Sequence, residues 1–183
     1  SWMLSALIAL DANEEQNRVV ILKHLDPEYE TDRIVRFWVV AGLGQAPAHQ
    51  REVMSRSLKD PAREVKYLAT AFQDAGNDSV IHQFRKELHS DDFEIAWPVL
   101  RVLRVVAIPP LAPDVLKILS SRSEGAWHYD AIYALALPEM ATAAAKESLH
   151  SFTLDDPVRL VVVALRGSNY NTAEAFASFL SAF

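Results

Sequence analysis

Six histidines, at positions 24, 49, 82, 89, 128 and 150, are the side chains best suited to hold a metal, because neutral imidazole is the commonest nitrogen ligand. Their spacing does not build a site. A helix brings two imidazoles to one ion when they stand at i, i+4; none of the six do, and there is no H-E-x-x-H and no His-Glu dipeptide. The chain has no cysteine, which removes thiolate nucleophiles, disulfides and Cys-ligated zinc together and suits a reducing, cytoplasmic setting. The carboxylate pairs Asp91-Asp92 and Asp155-Asp156 carry the groups for general acid–base work. Each stands where a helix is expected to begin, and helix capping accounts for both. Gly42-Leu43-Gly44 follows a helical stretch and lacks the third glycine of a dinucleotide loop, so it reads as a helix end. No G-x-S-x-G elbow singles out a serine. The expectation is a chain with no catalytic residue, no metal and no cofactor.

What positions these residues is a repeat. Val35, Val65, Ile95, Trp127 and Val158 each open an apolar helical stretch, at spacings of 30, 30, 32 and 31 residues, and the stretches close at Leu43, Phe72, Leu103, Leu135 and Leu165. A fixed period in this range marks stacked supersecondary units, each too small to bury its apolar face alone. Within a unit the periodicity is helical. Val19, Val20, Ile21 and Leu25 gather on one face of residues 14–25, Asp26-Pro27 ends that helix, and Thr31-Asp32 begins the next. The same grammar predicts helices over 47–58 and 63–73, 77–89 and 93–106, 111–121 and a partner through 137, then 138–150 and a partner through 166. Pro98, inside 93–106, is expected to kink or split its helix. The expected units are 14–44, 47–76, 77–107, 109–137 and 138–167, with flanking helices at 2–11 and 171–183, in one domain over 1–183. The apolar ends, Trp2 to Leu10 and Phe176 to Phe183, suggest a piece of a longer chain.

Asp156-Pro157-Val158-Arg159, followed by Val162, Ala164, Leu165 and Gly167, resembles the D-P-x-V-R-x-x-A-x-A-L-G signature of HEAT repeats, as does Val35-Arg36 followed by Val39, Ala41, Leu43 and Gly44. The short HEAT-like repeats of the phycobilisome-lyase type are closest in length. The resemblance runs from about residue 14 to 183 and is strong in the first and last pairs. It implies an all-α, right-handed α-solenoid of about five antiparallel helix pairs, second helices lining a concave face. Ala96 and His128 stand where the family has its arginine, which breaks the expected Asp–Arg ladder there.

Aligned on their anchors, the second helices place Arg36, Lys66, Ala96, His128 and Arg159 in one column and Phe37, Tyr67, Trp97, Tyr129 and Leu160 in the next. Arginine and aromatic side chains are enriched at binding hot spots. Arg36, Phe37, Lys66, Tyr67, Trp97, Arg101, His128, Tyr129 and Arg159 are therefore the candidate binding residues on the concave side, with Arg104, Tyr133 and Arg166 extending them. The competing expectation is that the arginine bonds the acidic turn of a neighbouring unit while the rings fill gaps between helices. Trp2 and Trp38 are expected in the core. A formal charge of −6 argues against general polyanion binding. No apolar run reaches the roughly 18 residues that cross a bilayer. The reading is a non-catalytic module for a protein or peptide partner, with nucleic-acid binding or bilin-lyase-like cofactor handling as alternatives and no membrane role.

Overall fold

The computed structural model describes residues 15–44, 47–121, 126–135 and 137–148. All regular structure among them is helical, in the order α1 (Glu15–Lys23), α2 (Arg33–Leu43), α3 (Pro47–Ser57), α4 (Arg63–Asp74), α5 (Asp78–Leu88), α6 (Phe93–Leu103), a 3-10 turn (Pro109–Leu111), α7 (Ala112–Ser121), α8 (Ala126–Leu135) and α9 (Pro138–Ser148). None of these helices is long and apolar enough to cross a membrane. The expected flanking helices and the partner helix over 155–166 lie outside the described residues.

Several helix starts follow from local chemistry. Asp32, Asn77 and Asp92 are N-caps whose side-chain oxygens accept from the backbone N–H two residues on, in Ile34, Ser79 and Glu94, at 2.8–2.9 Å. The Asp60 turn works differently. Its carboxylate accepts the Ala62 N–H at 2.7 Å, and Ala62 itself is the cap residue of α4, with no side-chain bond to give. Pro98 does not split its helix: α6 runs unbroken past it and stops at Leu103, three residues short of expectation, with Arg104 as its C-cap.

The chain divides into two compact units, 1–75 and 76–183. In the first, α2 packs on α3 and α4, and α3 on α4. Every residue of α2 from Arg36 to Leu43 is buried, as expected for a helix apolar on all sides. Trp38 belongs to this core, with Val40, Leu43, Val53, Met54, Val65 and Leu68. Gly44 sits at the end of α2 in an ordinary right-handed conformation. Its glycine is required by space: a Cβ there would stand 2.6 Å from the Val40 carbonyl oxygen, 2.8 Å from Met54 Cε and 2.8 Å from Phe72 Cε2. In the second unit α5 packs on α6, α6 and α7 on α8, and α7 on α9. Phe84, Leu88, Val99, Leu100, Leu103, Leu111, Val115 and Met140 fill its core.

Candidate functional site

The candidate column does not face outward as a whole. Phe37 is fully buried, edge-on to Trp38 at 5.3 Å and 88°. Arg36 is only 4% exposed, and its partner Asp60 3%. The expected binding role of these two positions gives way because α2 is enclosed on every side, which leaves no open face one and two residues beyond the anchor. Arg36 instead closes a clasp. Its Nε donates to Asp60 Oδ2 at 2.8 Å, Nη2 to Oδ1 at 3.0 Å and Nη1 to the Glu30 carbonyl at 2.7 Å. Hydrogen bonding to Asp60 pushes the guanidinium above its usual pKa, so it stays charged. Lys66, in the same column, is exposed, and Tyr67 is half-buried. The side chains of His128 and Tyr129, and all of Arg159 and Arg166, lie outside the described residues.

Two more clasps stand in the second unit, neither legible from the anchor columns. Arg85, on α5, donates from Nε to Asp114 Oδ2 at 3.0 Å and from Nη2 to the Pro110 carbonyl at 2.7 Å, while His89 Nε2 meets Asp114 Oδ1 at 2.8 Å. Arg104 donates to the nearly buried Asp130 of α8. The three arginine-to-aspartate separations are 24, 29 and 26 residues, so each clasp spans about one repeat. Ala96 and His128 interrupt the column of arginines, and arginines elsewhere on the hairpins take up the bonding.

The first unit holds two further polar pairs. Glu30 accepts the Asp32 N–H at 3.0 Å and meets His24 Nδ1 at 3.0 Å, and these two contacts hold its carboxyl below the usual carboxylate range. Glu64 is 1% exposed, with Arg33 Nε 3.2 Å away. That contact lacks hydrogen-bond geometry, and both Glu64 carboxylate oxygens are without a hydrogen-bond donor. A cleft of about 300 Å³ in the same unit is lined by Leu25, Asp26, Pro27, Arg56, Lys59 and Asp60.

Trp97 and Arg101 are the candidates that the fold brings together. Both are half-buried on α6, with the Arg101 guanidinium 4.5 Å from the Trp97 ring centroid and its Nε and Nη1 buried. Phe93, one turn earlier, lies against Trp97 at 5.9 Å and 35°. Phe93, Trp97 and Arg101 follow i, i+4, i+8 spacing and stack along one face. Arg104 continues the series and sits 4.7 Å from the Tyr133 ring of α8. Partly covered, they form a strip beside the exposed Glu94, while Ala96, Pro98, Val99, Leu100, Val102 and Leu103 are buried. Phe93 was missed because the columns were read outward from the anchor, and Phe93 precedes it. The i, i+4 spacing from Trp97 was the available signal.

Among the described residues no group of three or more His, Asp or Glu side chains is placed to hold a metal ion. Comparison with known families, known proteins and solved structures gives no match.

Proposed function

We propose that this chain is a non-catalytic binding module of HEAT-like helical hairpins, stacked as a right-handed α-solenoid, that recognises a protein partner through the strip of α6. The observation that carries the reading is the Arg101 guanidinium set over a half-buried Trp97 ring that Phe93 also packs against. Tryptophan and arginine dominate binding hot spots, and a pre-stacked pair loses little side-chain freedom on binding. The hairpin reading draws support from the packing of second helix on second helix, α2 on α4 and α6 on α8, and from clasps that each reach one repeat along the chain.

Selection from a displayed random-peptide library tests this. Peptides selected on the wild-type chain are expected to lose at least about 30-fold in affinity on Trp97→Ala and Arg101→Ala variants that keep the wild-type circular dichroism spectrum, the loss that defines a hot spot. A selection that returns no binders, or binders indifferent to both substitutions, overturns the reading.

A further inference from the structure

We draw no further inference here: the strongest candidate, the cleft of the first unit lined by Leu25, Asp26, Pro27, Arg56, Lys59 and Asp60, carries none, because Arg36 already holds Asp60, Glu52 holds Arg56 and Asp26 accepts the Glu28 N–H, and nothing in the structure shows what would fill it.

Discussion

Replacing Arg36 by methionine keeps much of the side-chain length and removes the guanidinium. Asp60 would then retain one donor, the Ala62 N–H, inside a site from which water is nearly excluded. Breaking a buried pair by removing one partner costs about 3–5 kcal/mol, because the remaining charge is stranded. At about 2–4 °C per kcal/mol for a chain of this size, the midpoint should fall by roughly 6–20 °C. Asp60→Asn keeps an oxygen for Ala62 and loses the charge, and should cost about 2–4 kcal/mol, since Arg36 then keeps only neutral acceptors. Once Arg36 is gone the aspartate charge is a liability. The double variant should therefore be no less stable than Arg36→Met alone, giving a coupling of at least about 2 kcal/mol. Urea unfolding followed by circular dichroism measures all four corners, with equal m-values as the check that one transition is being compared. A loss below about 1 kcal/mol for Arg36→Met, or singles that simply add, would refute the claim that this clasp is a coupled, desolvated pair.

Gly44→Ala should cost about 1–3 kcal/mol in the same assay through overpacking against Val40, Met54 and Phe72, whereas Gly76→Ala, with nothing within 4 Å of its Cβ, should be neutral or stabilise by up to about 1 kcal/mol. Glu64→Met should raise stability by about 1 kcal/mol, since it removes a buried carboxylate without a hydrogen-bond donor, and a loss of more than about 1 kcal/mol would show that the carboxylate is needed. Glu30, with its pKa lowered on folding, contributes stability above the unfolded carboxyl value of about 4.3 and loses it as pH falls through the folded value. Thermal midpoints of Glu30→Gln should therefore depend less steeply on pH than wild type below about pH 4.3, and identical slopes would contradict the assignment.

The features legible in the sequence are those whose causes are local. Asp32, Asn77 and Asp92 cap because a short oxygen-bearing side chain before an apolar run can reach only the first free N–H groups. Trp38 is core because the apolar residues around it leave α2 no polar face. The clasps of the second unit were invisible for the opposite reason. Arg85–Asp114 and Arg104–Asp130 join residues 29 and 26 apart from positions outside the anchor columns, and periodicity ranks columns rather than pairs. Phe37 is fully buried and Trp97 only half-buried because one offset from the anchor meets two environments: α2 is enclosed from Arg36 to Leu43, while Phe93, Trp97 and Arg101 on α6 are partly covered. Which face a neighbour covers is a tertiary fact that the intrinsic pattern of a helix does not carry.

Each clasp ties residues only 24 to 29 positions apart, and that short reach bears on how the chain folds. Cross-links of about one repeat length keep the contact order low, so the loop that must close before a clasp forms is short and the associated entropy loss modest. Each of the two compact units can then acquire its own clasps by local closures, without waiting for distant segments of the chain to meet.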